Sequence, residues 1–588
     1  MDEYKTNPKQ FYAYARRNQK VKVGIAKLKK ENGTETSDDK ETVEELNSYF
    51  TKVFTREGNE EIPPFNRQTR TQQHDLNIEK EEIVKILSSL NAWKAMGPDE
   101  IHPAVLKNCS NEIAEPLRII FRSTLDQGKI PKDWKKANVT PIFKKGLRSE
   151  ASNYRPVSLT SQVCKVMEKI INSRIQEHIV ENEILRQNQH GFTSGRSCLT
   201  NLLTALDNWT KEMDQGNSVD VIYLDFAKAF DSVPHKRLLK KLEGYGIRGK
   251  LLAWIKDFLQ HRQQRVIYND EVSEWTQVLS GVPQGSVLGP TLFILYVMDI
   301  PEVINSSVDM FADDTKLYRA IQKDEDIEIL QRDINNLMEW SRIWMMKFNV
   351  KKCKHMRISR NSVAPEYYMY DGTEHQRLEL IEKEKDLGIY ITNNMKVEDQ
   401  CIDAANKANR ALGLINRSFK YHNPRSFTNL YKSYVRPHLE FAVQAWSPHL
   451  KKDIQTLEKV QRRATRLIHG MENLTYQDRL IKSGLYSLEC RRQRGDLIET
   501  FKILKGLEDV QADKFFTLSH NTSTRGGTHK VFKPRFNTNV RGKFFSQRSI
   551  DLWNSLPDSI KNMKTVISFK GSLDRYWKSI KFGHQIDL

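Results

Sequence analysis

The sequence predicts an α+β fold on the strength of two strand patterns and one helix pattern. Residues 308–318 hold two short runs of strand-forming residues around an Asp-Asp pair, which is typical of a β-hairpin. Residues 221–224 form an apolar run typical of a buried strand, and Asp225 follows it directly. Apolar residues recur at helical spacing over 79–90, 327–348 and 454–468.

Asp313 and Asp314, the pair in the predicted hairpin, are the first candidates for chemistry. Two carboxylates ~4 Å apart repel each other by roughly 4 kcal/mol at an effective dielectric constant near 20, so a partly buried pair needs a cation or a shared proton. Oxygen ligands favour Mg²⁺ or Mn²⁺. A solvated turn is the alternative, because Asp favours turns. Asp225, at the end of a strand, is expected to meet the pair in a cleft.

A loop rich in Gly and Pro lies between these two stretches. It runs from Ser280 to Pro290 and leads into an apolar segment that is predicted to be helical. Such a loop can bring backbone close to a ligand, and Gln284 offers both a donor and an acceptor. An ordinary entry into a helix is the alternative interpretation.

Three blocks, in this order, resemble the catalytic blocks of reverse transcriptases. They are Asp225-Phe226-x-x-x-Phe230, Pro283-Gln284-Gly285-Ser286 and Phe311-Ala312-Asp313-Asp314. The Phe that opens the third block, together with Gly289-Pro290, resembles non-LTR retrotransposons of the jockey and chicken-repeat-1 kind. The resemblance implies a right-hand polymerase with fingers, a palm that contains an antiparallel sheet, and a helical thumb, with helical N- and C-terminal extensions.

The resemblance also implies a two-ion site and assigns its ligands. Nucleotidyl transfer would use two Mg²⁺ ions, with Mn²⁺ as the alternative. Asp225 and Asp313 are expected to bridge the ions, and Asp314 to shape the site or touch one ion. The backbone carbonyl of Phe226 is expected to join them.

Further residues are expected to bind the nucleotide. Phe230 would lie under the sugar and exclude a 2′-hydroxyl, with a core aromatic as the alternative. Arg155 would hold the triphosphate, and Lys144 or Lys145 would add a point charge, with surface cations as the alternative. Gln284 and the backbone of Gly285 would contact the side of the template base and the nucleotide.

Other residues near these blocks are predicted to have plainer roles. Lys228 and Asp231 fit a solvated helix face. His190 is expected to pack or to form hydrogen bonds rather than to bind metal, and its block, residues 189–197, is expected to lie against the template. Lys352 is a candidate for assisting proton transfer to pyrophosphate.

Composition favours a nucleic-acid partner. The 588 residues include 93 Lys and Arg against 74 Asp and Glu, which gives a formal net charge of +19 and a pI near 9.4. The resemblance to reverse transcriptases implies the particular partners, which are an RNA template, a DNA primer, dNTPs and the element's own RNA. With no C-x-x-C pair, no signal peptide and no apolar run long enough to span a bilayer, the nucleus, the cytoplasm or both are expected, and no membrane.

The chain order suggests five regions. They are an N-terminal extension and linker (1–75), a helical region (76–124), the reverse transcriptase domain (125–392), a helical thumb (393–510) and a basic C-terminal tail (511–588). Within the tail, 517–543 is expected to be a loop or an RNA-contacting arm. No endonuclease motif is recognised, so that domain is expected to be missing. Two rival interpretations are a group II intron maturase-like enzyme and a catalytically inactive RNA-binding remnant.

Overall fold

The computed structural model describes residues 11–14, 24–58, 60–67, 69–359, 363–519 and 529–580. Helices and strands are mixed along the chain, so the predicted α+β class is confirmed. The strands are β1 (Lys136–Phe143), β2 (Tyr154–Leu159), β3 (Ser218–Leu224), β4 (Arg262–Tyr268), β5 (Glu271–Val272), β6 (Thr276–Val278), β7 (Ser307–Phe311), β8 (Asp314–Ile321), β9 (Lys354–Ile358), β10 (Tyr368–Tyr370), β11 (His375–Arg377), β12 (Glu379–Leu380), β13 (Lys383–Asp386), β14 (Ile389–Thr392), β15 (Thr517–Leu518) and β16 (Val531–Phe532).

The helices surround these strands and make up most of the C-terminal half. They are α1 (Asp39–Lys52), α2 (Lys80–Ser88), α3 (Pro103–Asn108), α4 (Ser110–Gln127), α5 (Gln162–Glu181), α6 (Cys198–Asp214), α7 (Ala229–Ser232), α8 (His235–Gly244), α9 (Gly249–Leu259), α10 (Leu288–Val297), α11 (Asp324–Ile343), α12 (Glu398–Ser418), α13 (Pro424–Leu430), α14 (Arg436–Glu440), α15 (Val443–Trp446), α16 (Lys451–Arg466), α17 (Tyr476–Ser483), α18 (Leu488–Leu504), α19 (Ala512–Phe515), α20 (Asn539–Lys543), α21 (Phe545–Asn554), α22 (Asp558–Lys561) and α23 (Val566–Ser579). The predicted helices over 79–90, 327–348 and 454–468 are confirmed as α2, α11 and α16.

A five-stranded sheet in the order β12-β9-β3-β8-β7 forms the centre of the fold, and we call it the central sheet. β3 pairs antiparallel with β8 on one side and with β9 on the other. Ile222 and Leu224 of β3 face one hydrophobic core, whereas Val219 and Val221 face another. Because both faces of β3 are covered, the strand has an unbroken apolar run.

A second sheet, in the order β2-β1-β4-β5 with β6 paired to β4, lies under α1. Val43, Leu46 and Phe50 of α1 are buried against Val139 and Val266 of this sheet. The apolar side of α1 is therefore the side that packs.

Residues 51–75, which lie in the predicted N-terminal extension and linker, make tertiary contacts in the part that the structure describes. Their backbone is irregular, but Phe65 is buried against Tyr245 and Trp344, and Gln73 pairs with Ile247 by a β-bridge. The Pro63-Pro64 pair and the polar composition suggest a segment without tertiary contacts. Long-range packing nevertheless holds the segment against the rest of the chain.

Two local features depend on backbone geometry. Helices α3 and α4 are separated at Cys109, and Pro116 lies inside α4. Strands β13 and β14 form a hairpin. Gly388, with a φ of +93°, lies in its turn.

The C-terminal segment also differs from the expected arm. Of 517–543, residues 520–528 lie outside the described residues. Residues 539–543 form α20, whose Arg541 guanidinium donates a 2.8 Å hydrogen bond to the buried Asp207 carboxylate of α6. Trp553 and Trp577 are buried in the core that α6 shares. In the described part of the chain, no helix has the length and apolar character needed to cross a bilayer.

Candidate active site

The predicted hairpin is present, and its turn carries Asp313. β7 and β8 pair through Phe311 and Asp314, which leaves Ala312 and Asp313 as a two-residue turn. Ala312 has a φ of +57°, and a positive φ at this position suits the twist of a tight hairpin. Asp314 is therefore the first residue of β8.

Residues before α6 hold this turn in place. The Gln189 side-chain oxygen accepts hydrogen bonds from Ala312 N (2.9 Å) and from Gly191 N (2.8 Å). A Cβ at Gly191 would lie 2.3 Å from Ala312 N, so the two backbones are in close contact. The block expected to lie against the template thus supports the turn directly. In the sequence, the signal for this contact is Gly191 two residues after Gln189.

His190 has the structural role that the sequence predicts. Its imidazole is buried, and Nδ1 lies 2.9 Å from Thr200 Oγ1. Burial lowers the pKa of His190 to about 3. The imidazole is therefore neutral at neutral pH.

Asp225 follows the last residue of β3. Leu224 pairs with Thr315, which brings Asp225 beside Asp314 at the same end of the central sheet. The backbone of Asp225 is held on the other side, because its carbonyl accepts a 2.7 Å hydrogen bond from Asn349 N. Sheet register thus brings together Asp225, Asp313 and Asp314, which we call the aspartate cluster.

The aspartate cluster is an electrostatically costly arrangement without a cation. Burial raises the pKa of Asp314 to about 6, and repulsion from Asp313 and Asp225 adds to the shift. Burial also raises the pKa of Asp313, and Asp225 adds to it. Clustered carboxylate oxygens suit Mg²⁺ or Mn²⁺, and a divalent cation would relieve this repulsion.

Cationic side chains face the aspartate cluster. Lys352 Nζ lies 3.2 Å from Asp225 Oδ2. Arg155 in β2 and Lys144 just after β1 both oppose the rise in the Asp313 pKa. Burial lowers the pKa of Lys144, and Arg155 and Lys352 lower it further. Positive charges therefore act on the carboxylates of the aspartate cluster.

A buried ion pair that the sequence did not indicate borders the site. Lys316 Nζ lies 2.5 Å from Asp386 Oδ2, and both side chains are buried. A cavity of about 120 Å³ lies between Asp386, Asp225 and Asp314. Among the described residues, no three His, Cys, Asp or Glu side chains already converge as a group that could hold a metal ion.

The two aromatic residues after Asp225 differ in environment. Phe226 is buried and stacks on Phe348 at 4.4 Å between ring centroids. Its own carbonyl takes no part in the bridge to Phe348, because the flanking residues make those hydrogen bonds. Phe230 is half-buried. It stacks on Phe293 at 4.5 Å and meets Phe192 edge-on.

The loop before α10 contacts β2 and the segment that follows Phe230. The Gln284 carbonyl accepts a 2.8 Å hydrogen bond from Ser158 N, and its side-chain amide donates a 2.9 Å hydrogen bond to Asp231 Oδ1. Gly285 has a φ of +126°, and a Cβ there would lie 2.3 Å from the Ser158 carbonyl oxygen. Only glycine fits this approach.

The expectation of a solvated face for Lys228 and Asp231 is wrong. Burial raises the pKa of Asp231 to about 6. The Lys228 ammonium lies 5.0 Å from the ring centroid of Tyr49, a cation–π contact with α1. Both residues are part of the packed surroundings of Phe230.

Comparison with protein families finds similarity to one class of polymerase. Residues 142–400 match the family described as Reverse transcriptase (RNA-dependent DNA polymerase). The matched span contains the aspartate cluster, Lys144 and Arg155. The chain therefore contains a reverse transcriptase domain, as the resemblance of its catalytic blocks predicts.

Within that class, the chain is related to the polymerases of mobile elements. It is 25% identical over 403 residues to the probable RNA-directed DNA polymerase from transposon X-element of Drosophila melanogaster. It is 26% identical over 409 residues to the RNA-directed DNA polymerase from mobile element jockey of the same organism. Each alignment covers 66% of this chain and 44% of the relative, so the chain spans less than half the length of these relatives. The predicted likeness to jockey is confirmed.

Proposed function

We propose that the chain is an RNA-directed DNA polymerase that transfers a nucleotide from a dNTP to a primer 3′-hydroxyl on an RNA template. The observation that carries the proposal is the aspartate cluster, in which sheet register and a tight turn place Asp225, Asp313 and Asp314 at one end of the central sheet. The match to the reverse transcriptase family supports the same chemistry.

The donor set fits a pair of divalent ions. Mg²⁺, with Mn²⁺ as the alternative, would supply activation of the 3′-hydroxyl and charge neutralisation on the triphosphate. Asp225 and Asp313 would hold the ions, together with Asp314 and the Phe226 carbonyl. The aspartate cluster would bind divalent ions once its carboxyl groups have lost their protons, since only carboxylates bind such ions.

Cationic side chains would hold the triphosphate. Arg155 is exposed, and its planar guanidinium can donate two hydrogen bonds to phosphate oxygens. Lys144 adds a point charge. Lys352, at 3.2 Å from Asp225, is a candidate donor of a proton to pyrophosphate.

Sugar selection would depend on Phe230. Because Phe293 supports one face of its ring, the ring cannot retreat freely from a bulkier sugar. A ribose 2′-hydroxyl would clash where a deoxyribose fits. Gln284 and the Gly285 backbone would contact the side of the template base and the nucleotide.

The order of elements supports a right-hand arrangement. The second sheet would be the fingers, the central sheet the palm, and the helices from α12 onward the thumb. The RNA template and DNA primer would cross the palm toward the thumb. On α16, four exposed cations lie on the outer side and suit a phosphate backbone, with a solvated face as the alternative: Lys459, Arg462, Arg463 and Arg466.

The test is Mg²⁺-dependent extension of a DNA primer annealed to RNA. Asp313→Asn is expected to lower extension by at least about a hundred-fold, because it removes a ligand charge. The matched control is Asp270→Asn, which changes an exposed Asp with a positive φ in another turn. Equal activity of Asp313→Asn and the unaltered chain would overturn the role of Asp313. RNA binding without extension by either would favour an inactive RNA-binding remnant.

A further inference from the structure

A segment formed by the C-terminal end of α1 and the residues that follow it contacts both flanks of Phe230. It comprises residues 49–57, and we call it the N-terminal clamp. Its first contact is Tyr49, whose ring lies under the Lys228 ammonium two residues before Phe230. Its last contact is Glu57. This residue binds Arg237, which lies near the start of α8 and seven residues after Phe230.

Glu57 makes the strongest of these contacts. Its carboxylate accepts hydrogen bonds from the backbone N–H groups of Lys236 (2.7 Å) and Arg237 (3.3 Å) at the start of α8. It also pairs with the Arg237 guanidinium at 3.2 Å, and the two side chains are 8% and 5% exposed. A carboxylate at a helix N-terminus satisfies free N–H groups and the helix dipole, so α8 is capped by a residue distant in the chain.

Ser280 carries the middle contact. Thr55 N donates a 2.7 Å hydrogen bond to Ser280 Oγ, and that hydroxyl donates a 2.7 Å hydrogen bond to the Asp231 carbonyl. Ser280 is 1% exposed, so water does not replace these bonds. The N-terminal clamp is thus linked through one hydroxyl to the residue directly after Phe230.

The neighbouring backbone leaves the Phe230 segment little freedom to adjust. Val282 N donates a 2.8 Å hydrogen bond to the Phe230 carbonyl, and His235 Nε2 donates a 2.8 Å hydrogen bond to the Gly281 carbonyl. A Cβ at Gly281 would lie 2.7 Å from the Asp231 carbonyl oxygen. Displacement of the clamp would therefore move Phe230 and the loop together.

From these contacts we infer that the N-terminal clamp positions Phe230 and sets how strongly the nucleotide site rejects ribose. Tyr49, Thr55 and Glu57 are positioning residues, because they act through the backbone that carries the ring. The inference rests on the proposed polymerase function and on the proposed role of Phe230. It extends the nucleotide site to a segment that precedes the matched family span of residues 142–400.

The test measures the ratio of kcat/KM for a dNTP to kcat/KM for the matching rNTP in primer extension by the full chain. Ser280→Ala and Glu57→Gln are each expected to lower this ratio about ten-fold, because a small displacement of a positioning group changes discrimination steeply. The control is Glu60→Gln, which removes an exposed second partner of Arg237 and should change the ratio by less than about two-fold.

A double-mutant cycle separates positioning from general loss of structure. Phe230→Ala should lower the ratio by itself, and adding Ser280→Ala to it should lower the ratio no further if both act through the same ring. If Glu57→Gln fails to fold, the Ser280→Ala result decides. An unchanged ratio in Ser280→Ala, with normal dNTP extension, overturns the inference alone. Absence of extension by the unaltered chain overturns the proposed function and the inference with it.

Discussion

Replacing Gly191 by Ala should move the turn that carries Asp313. The new Cβ would lie 2.3 Å from Ala312 N, whereas ordinary van der Waals contact begins at 3.4 Å. The turn must therefore shift by about 1 Å, since close-packed backbone cannot absorb the overlap. Misplacement of a catalytic group by about 1 Å can cost on the order of a hundred-fold in rate, so kcat for primer extension should fall by about that factor.

The same change should have a smaller effect on stability. Overpacking at one position costs about 1–3 kcal/mol in the free energy of unfolding, which urea denaturation can measure. Gly413→Ala is the matched control, because Gly413 lies in α12 and a Cβ added there would meet no atom within 4 Å. That variant should keep full activity and gain up to about 1 kcal/mol of stability. Wild-type kcat in Gly191→Ala would refute the reasoning that the position of this turn controls catalysis.

Three further predictions concern charge. Because burial raises the pKa of Asp314 to about 6, extension should fall as pH drops through about 6, and more Mg²⁺ should move that midpoint lower. The metal-free chain should lose stability as pH rises from 3.8 toward 6, because the folded state holds this proton longer than the unfolded chain. A pH midpoint independent of Mg²⁺ would contradict this. Asp386→Asn should lower the free energy of unfolding by about 3–5 kcal/mol in urea denaturation, because it leaves the Lys316 charge buried without its partner. An unchanged urea midpoint would count against a stabilising role for this ion pair. If α16 contacts phosphates, the double variant Arg463→Ala, Arg466→Ala should reduce the slope of log affinity for RNA against log salt by roughly 1.5, with stability unchanged within about 0.5 kcal/mol. An identical slope would instead support a solvated face.

Local sequence patterns predict the elements around the site well. The strand that ends before Asp225 and the hairpin at Asp313 are both present at the predicted positions. Each pattern spans fewer than a dozen residues, and alternation of apolar residues reports directly on burial within a strand. The likeness to jockey also depends on short blocks, which is why it can be recognised without tertiary structure.

Residues that act over long sequence distances are not predicted in this way. Asp386 lies in a stretch that suggests an ordinary strand, yet it pairs with Lys316, 70 positions earlier. Glu57 lies in a segment that suggests a linker, yet it pairs with Arg237, 180 positions later. Residue type indicates how costly it is to bury or expose a side chain. It does not indicate which residue far away in the chain will pair with that side chain.

The sequence by itself determined the class of fold, the order of the catalytic blocks and the chemistry of their carboxylates, because these follow from short-range periodicity and residue type. Only the tertiary structure decided that Gln189 and Gly191 support the Asp313 turn and that the N-terminal clamp grips the Phe230 segment. Those contacts depend on how the sheets and helices pack, and packing selects among many locally equivalent arrangements through burial and hydrogen bonding between segments far apart in the chain.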